Sequence, residues 1–425
     1  MTDTTPPISI PTGGDGRPTA VVRTSEWYDD AEMTLPFPNG WQVDVKKMGG
    51  HDSPALTDEQ VRGALHNPID TKRIAEIADG KKTACITFDD LARPTPSGRV
   101  MPFILEELHV AGIKDDDIIF QCAAGTHAPL FQPDMVAKLG PEIVRDYEVW
   151  NHDCFHGAVP VGTTARGNDV RLNSRFVNAD VKICVSGVKL HSMTGYGGGA
   201  KSIVPGIAWI KTAYHIHEVI NPDCETTKGF LSNEVRLDME DAARLVGVDM
   251  SINIVMNGHR QVAGLFAGDI VSAHRAAVTC SHELGSTPMP DNPDVVVCNA
   301  YPQSVEANKE FDLARKTLRD GGTAVLIADT PAGQRKIHYL GWIENGGGER
   351  PKRKTGLPVG QAGQVIVFNR YPAKWDDLEY SEEVHIASSW DQVVEQLQAA
   401  HGENTHAAIF PTAALQHEPS MPLRM

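Results

Sequence analysis

The segment ADVKICVSGVKLHSMTGYGGGAKSIVPGIAWIKTAYHIH, residues 179–217, decides how the rest of the chain is read. Its β-branched run Val181–Val188 predicts a buried strand, and His191 lies just past the strand's end. Three consecutive glycines, Gly197 to Gly199, precede Lys201, and a Pro205-Gly206 break leads to His215 and His217. Such a combination suits a place where main chain must come close to a bound group.

The octet GYGGGAKS, residues 195–202, comes near the phosphate-cradling pattern G-x-x-x-x-G-K-[ST] and departs from it twice. Ala200 stands where that loop uses glycine. Pro205 and Gly206 fall inside the first turns of the helix that such a loop must start, where proline removes a hydrogen bond and clashes with the preceding turn. Nucleoside triphosphate hydrolysis is therefore set aside. What remains is a lysine on a backbone of small residues, with His191 before it and His217 after. His215 and His217 are two apart, so on a strand they share a face and on a helix they diverge by about 200°, and only one of them need be functional.

Upstream, two units each predict a strand that delivers a polar group at its carboxyl end. Ala84 to Phe88 opens into Asp89, Asp90 and Arg93, and in α/β sheets that end faces the ligand crevice. Asp90 and Arg93 read either as a turn-capping pair or as a grip whose planar guanidinium holds a carboxylate or phosphate. MPFILEELHVAG, from Met101, has helical spacing up to Gly112. The strand Asp117 to Cys122 then ends in the turn AAGTH, which presents His127 either as a packed residue or toward a pocket. NHDCFHG, residues 151–157, puts His152 and His156 at i,i+4, but Gly157 and AVPVGTTARG predict a loop with no second ligand pair at zinc spacing.

Residues 1 to about 30 read as an arm or a wrapping strand, followed by a strand at Trp41 to Lys46 and a helix capped by Thr57 with Gln60. Downstream the pattern predicts a helix over 234–246, a strand from Ser251, a hairpin through VAGLFAGD and a helix from Ala273. TPMPDNPD marks a domain boundary. Strands from Val295, Thr323, Gln364, Val384 and Ala407 then alternate with helices over 306–319 and 391–400, and GGGERPKRKTG, residues 346–356, reads as a mobile loop.

A chain of 425 residues exceeds one hydrophobic core, which argues for two domains. A formal charge of −16 excludes nucleic acid and anionic membrane surfaces as partners, so any bound anion must be held by a few local cations. The amino terminus has no basic or apolar targeting pattern and no 18-residue apolar run occurs, which sets a cytosolic expectation. Seven scattered cysteines without CxxC read as reduced buried thiols.

Together, TFDDLARPTP, AAGTH, NHD, HSMTGYGGGAKSIVPGIA with its downstream histidine, and LFAGD resemble the lactate racemase family, the nickel-pincer-nucleotide-dependent racemases and epimerases of 2-hydroxy acids. The resemblance spans residues from about 40 to 415. It implies an α/β fold of two domains, 1–286 carrying the lysine and histidines and 287–425 closing over it, with the active site in the interdomain cleft. It implies that Lys201 anchors the cofactor with Asp90, Thr194 and Gly198 around it, and that His217 ligates nickel. His127 and His191 become the acid/base pair, one for each enantiomer, and Arg93 the holder of the substrate carboxylate.

In that family hydride leaves C2 for the cofactor ring, a 2-keto acid forms, and hydride returns to the other face. A histidine of near-neutral pKa suits transfer of the hydroxyl proton. Two departures bear on substrate. Where the family carries Tyr-Gln-x-x-Lys, this chain has Asn308 to Asp312, with Lys309 as the neighbouring cation, and Lys189 replaces an acidic residue. A 2-hydroxy acid other than lactate is therefore expected, together with a possible homo-oligomer. The rival readings are a zinc or other metal-dependent lyase or hydrolase built on His127, His152 and His191, and a non-catalytic carrier of the cofactor.

Overall fold

The computed structural model describes residues 16–220, 232–331, 333, 355–374, 376–421 and 423. These divide into two compact α/β units.

The larger unit holds 49–286 and is built on a six-stranded sheet. Its order is Val262–Gly268, Met250–Met256, Val181–Gly187, Ala84–Phe88, Ile118–Cys122 and Glu148–Asn151. All neighbours are parallel except the edge pair Met250–Met256 with Val262–Gly268. Ala84–Phe88 is buried throughout, which is why it reads as a mostly apolar run instead of an alternating one.

After Ala84–Phe88 the chain adds strands toward Glu148–Asn151, then returns to place Val181–Gly187 on the opposite side. The strand order therefore reverses between Ala84–Phe88 and Val181–Gly187. In open α/β sheets the crevice at such a reversal, beyond the carboxyl ends, is the binding position. Both chemical segments, 89–93 and 188–202, leave the sheet there.

Local signals behave as the sequence implies. Thr57 caps Asp58–His66 with a reciprocal box: its Oγ1 accepts from the Gln60 amide at 3.2 Å, and Gln60 Oε1 accepts from the Thr57 amide at 2.8 Å. Asn233 caps Glu234–Val246, which ends at Gly247 in the left-handed region. Ile203, Val204 and Ile207, fully buried in a core with Phe176, Ile216 and Met239, anchor the segment after Lys201. Each contributes about 1.5–3 kcal/mol by leaving water.

The second unit is a parallel sheet in the order His385–Ala387, Gln364–Phe368, Thr323–Ile327, Val295–Asn299, His406–Phe410 and Gln42–Val45. Its first strand corrects the expected division, in which residues 1–286 formed one domain. Gln42–Val45 pairs in parallel with His406–Phe410, and Ala20, Val22, Leu35, Phe37 and Trp41 enter this unit's core, so 16–48 belong here. At the other end, Leu423 packs with Val188 and Tyr196 of the larger unit.

A second correction concerns the helix expected over 306–319. A 3-10 segment Ser304–Phe311 precedes the short α-helix Asp312–Thr317, and Glu306 has non-helical dihedrals. Glu306 Oε2 is held by Gln303 Nε2 at 2.8 Å and Lys309 Nζ at 2.6 Å, and these side-chain bonds compete with regular helix. Residues 346–354 of the expected mobile loop lie outside the described residues, as does Cys224. Among the described residues the other six cysteines are free, and burial pushes the Cys184 thiol up to about 12. No helix among them is long and apolar enough to cross a membrane.

Candidate active site

The turn after Ala84–Phe88 is built around a residue that the sequence does not single out. Lys138, in the last turn of helix Gln132–Leu139, is completely buried, and its ammonium lies 2.5 Å from Asp89 Oδ1. The same Nζ donates to the carbonyls of Asp90 at 3.1 Å and Arg93 at 3.0 Å. Burial pulls the Lys138 pKa down, against the attraction of Asp89. Asp89 Oδ2 also accepts from Thr95 Oγ1 at 2.6 Å and from the Gly187 amide at 3.3 Å, which ties together the ends of the two strands at the reversal. Asp89 and Lys138 thus form the scaffold on which Asp90 and Arg93 stand.

Asp90 is buried and its Oδ2 lies 2.7 Å from His127 Nδ1. A carboxylate accepts, so Nδ1 carries the hydrogen, and the neutral ring keeps its lone pair on Nε2. That arrangement suits a general base held in one tautomer. Arg93 is half-buried, and its Nη1 donates to the Ala92 carbonyl at 2.8 Å.

The turn bearing His127 meets the glycine-lysine segment directly, because the Gly125 amide donates to the Gly206 carbonyl at 2.8 Å. The Pro-Gly break that argued against a phosphate loop is therefore the docking point for the His127 turn. Lys201 lies on the 3-10 turn Gly199–Ser202, which passes into further turns and not into a helix.

The glycine loop is held by its carbonyls. Fully buried Arg236 donates from Nη1 to the Gly198 carbonyl at 3.1 Å and from Nη2 to the Tyr196 carbonyl, and His274 Nε2 donates to the Gly197 carbonyl at 2.7 Å. The Gly199 amide donates to Ser186 Oγ and Asn253 Oδ1, both at 3.1 Å. Gly198 and Gly199 have φ of +80° and +56°, and a Cβ on Gly199 would stand 2.8 Å from the His274 ring. Neither a side chain nor an ordinary backbone fits there. Thr194 Oγ1 donates to the Tyr196 carbonyl at 2.7 Å, which makes its hydroxyl a brace of the same loop.

His191 forms a two-residue ladder with Gly195–Tyr196, and its Nδ1 accepts from the Met193 amide at 3.3 Å. In the neutral ring this places the hydrogen on Nε2, opposite to the tautomer of His127. His217 lies in the π-helical turn His215–Ile220 that continues helix Ile210–Tyr214. Its Nδ1 donates to the Ala213 carbonyl at 2.7 Å, so its Nε2 offers a lone pair. Burial lowers its pKa most, and the charges of Lys201 and His127 lower it further, so all three share one electrostatic neighbourhood. His215 contacts the Arg166 carbonyl at 3.3 Å instead.

Asp90, His127, Lys201 and His217 are thus brought together, and His191 is joined to them through the loop that Arg236 and His274 hold. Lys309 belongs to the other unit, where it is exposed and paired with Glu306. His152 is buried, with Nε2 donating to the Ala208 carbonyl at 2.9 Å and Nδ1 facing Asn173 Nδ2 at 3.4 Å, and burial lowers its pKa. Both its nitrogens are engaged, which removes it from a zinc set with His127 and His191.

Residues 28–227 match the lactate racemase N-terminal domain. The lactate racemase of Lactiplantibacillus plantarum is 29% identical over 392 residues, covering 86% of this chain and 92% of that protein. That of Thermoanaerobacterium thermosaccharolyticum is 27% identical over 306 residues, covering 70% of this chain and 72% of that protein. The fold is shared with the lactate racemase apoprotein structure from T. thermosaccharolyticum, with a TM-score of 0.68, 22% identity and coverage of 94% of this chain and 100% of that one. It is shared also with a structural-genomics crystal structure from Thermotoga maritima, with a TM-score of 0.63, 16% identity and coverage of 87% and 99%. These matches span the segments that build the site, and over most of its length the chain is similar to the lactate racemase family.

Proposed function

We propose that this protein is a racemase or epimerase that inverts C2 of a 2-hydroxy acid other than lactate, with a nickel-pincer nucleotide held by Lys201 and His217. The carrying observation is the pairing of an Asp90-oriented His127 with Lys201 and His217 in one neighbourhood. The two curated relatives are both lactate racemases, which supports the reaction class.

The residues fit such a cofactor. His217 offers an imidazole Nε2 with its tautomer fixed by the Ala213 carbonyl, a donor that suits nickel(II). Lys201 offers an amine at the end of a loop whose glycines leave room for close approach. When bound, the group supplies a reversible hydride acceptor.

The chain's own residues supply the rest. Arg93 binds the substrate carboxylate. His127 takes the hydroxyl proton of one enantiomer at Nε2, with Asp90 steadying the imidazolium that results. His191 does the same for the other enantiomer. Lys189, a cation where the family carries an acidic residue, favours a larger or more acidic substrate, such as an aldonic acid or a dicarboxylate.

The test is incubation of cofactor-loaded protein with separate D and L forms of a 2-hydroxy acid panel, read by chiral chromatography. Interconversion of a non-lactate member ahead of lactate is expected. A panel without any interconversion would refute the racemase reading, and lactate as the best substrate would refute the substrate assignment. Intact mass should show the covalent adduct in the wild type and none in Lys201→Ala.

A further inference from the structure

His51, Asp52 and His259 of the larger unit each direct one ligand atom into a volume where the three lie within 4.8 Å of one another. We infer that they form a second, independent metal site for a borderline divalent cation of the zinc or nickel type.

The donor distances suit such an ion. Asp52 Oδ1 lies 3.0 Å from His259 Nε2 and 4.0 Å from His51 Nε2. Donors about 2.0–2.1 Å from a tetrahedral ion stand roughly 3.4 Å apart, and the observed pair brackets that value. Two imidazoles with one carboxylate select zinc, nickel or copper over calcium and magnesium, which take oxygen. Asp52 is 65% exposed at its side chain, which leaves the outer coordination positions to water.

The set is also held in place before any ion arrives. Its ligands come from two segments, the loop at 50–53 and the turn that joins strands Met250–Met256 and Val262–Gly268. The Gly258 amide donates to the His51 carbonyl at 3.0 Å, and Asn257 Nδ2 donates to the Ser53 carbonyl at 2.7 Å. Asn257 Oδ1 accepts from the amides of His259 and Gln261, both at 2.9 Å, which sets the turn that presents His259. The His51 ring lies against Gly258, where an added Cβ would fall 2.1 Å from Nδ1, so only glycine admits the ring in this orientation.

A surface His-Asp ion pair alone would explain His259 and Asp52, since such pairs are common and weak. Here the same carboxylate faces a second imidazole, His51 Nε2 at 4.0 Å, whose ring centre lies 5.0 Å from the first.

Titration of untagged full-length protein with zinc chloride, read by calorimetry and by metal content after dialysis, tests the site. Wild type and His217→Ala are expected to bind this zinc equally. His259→Ala and His51→Ala should bind one zinc fewer or bind it at least about tenfold more weakly, as even outer-shell losses do. Zinc should raise the melting temperature of the wild type and leave that of His259→Ala unmoved. Equal zinc content in wild type and His259→Ala would overturn the assignment, as would loss of the zinc in His217→Ala alone. Because the readout is zinc and not turnover, failure here leaves the racemase reading intact.

Discussion

Replacing Lys138 by methionine isolates what the buried cation does for the turn beneath the site. The side chain is fully enclosed and faces Asp89 at 2.5 Å, so its removal strands a buried carboxylate. Breaking a buried pair from one side costs about 3–5 kcal/mol, and the hydrogen bonds Asp89 keeps with Thr95 and Gly187 argue for the lower end. The carbonyls of Asp90 and Arg93 lose a donor as well, at about 1 kcal/mol each. The total, about 5 kcal/mol, is a large part of the 5–15 kcal/mol that stabilises an ordinary domain.

Urea unfolding followed by circular dichroism should show the midpoint fall at an unchanged slope. The double variant Lys138→Met with Asp89→Asn should recover part of the loss, because the stranded charge is gone, and the cycle should yield a coupling of at least about 1 kcal/mol. A loss below about 1 kcal/mol, the range of exposed pairs, would refute the reasoning. Strict additivity in the cycle would do the same.

Gly199→Ala should cost about 1–3 kcal/mol through its positive φ and its clash with His274, and should reduce the cofactor adduct on Lys201 measured by intact mass. Asp90→Asn should leave the fold intact and lower kcat by about 10²-fold or more, with nitrogen NMR showing that His127 no longer keeps its hydrogen on Nδ1. His152 and His274 are held neutral by burial, with folded pKa values below their ordinary 6.5. The unfolded chain then binds protons first, so stability should fall as pH drops below that value, by up to about 1.4 kcal/mol per pH unit for each histidine. Melting temperatures from pH 7.5 to 5 check this, and His274→Gln should flatten the slope.

The sheet was legible because parallel strands buried on both faces are rich in apolar residues, which make up the larger part of Val181–Gly187, Met250–Met256 and Val295–Asn299. Thr57 with Gln60 and Asn233 with Gly247 marked helix ends by local chemistry alone. The supports of the site were not legible. Lys138 lies in the last turn of a short helix, where the dipole alone welcomes a lysine, so nothing in the sequence sets it apart. Arg236 and His274 lie 38 and 77 positions from the carbonyls they hold, and such partners appear only when the chain is folded. The amino-terminal strand was likewise misassigned because its partner, His406–Phe410, lies at the opposite end of the chain.

The π-helical turn His215–Ile220 makes the length of this stretch a counted quantity. A π turn is an α-helix with one residue too many, so removing any one of six positions would let the coil close at its usual pitch. In an α-helix the Ala213 oxygen is the acceptor of the His217 amide, and here it accepts the imidazole as well as framing the wider turn. A single-codon deletion would rotate everything beyond it by about 100° relative to the helix before it, which loops tolerate and this turn does not. Related chains that keep the histidine should therefore differ in length before or after this segment, and not within it.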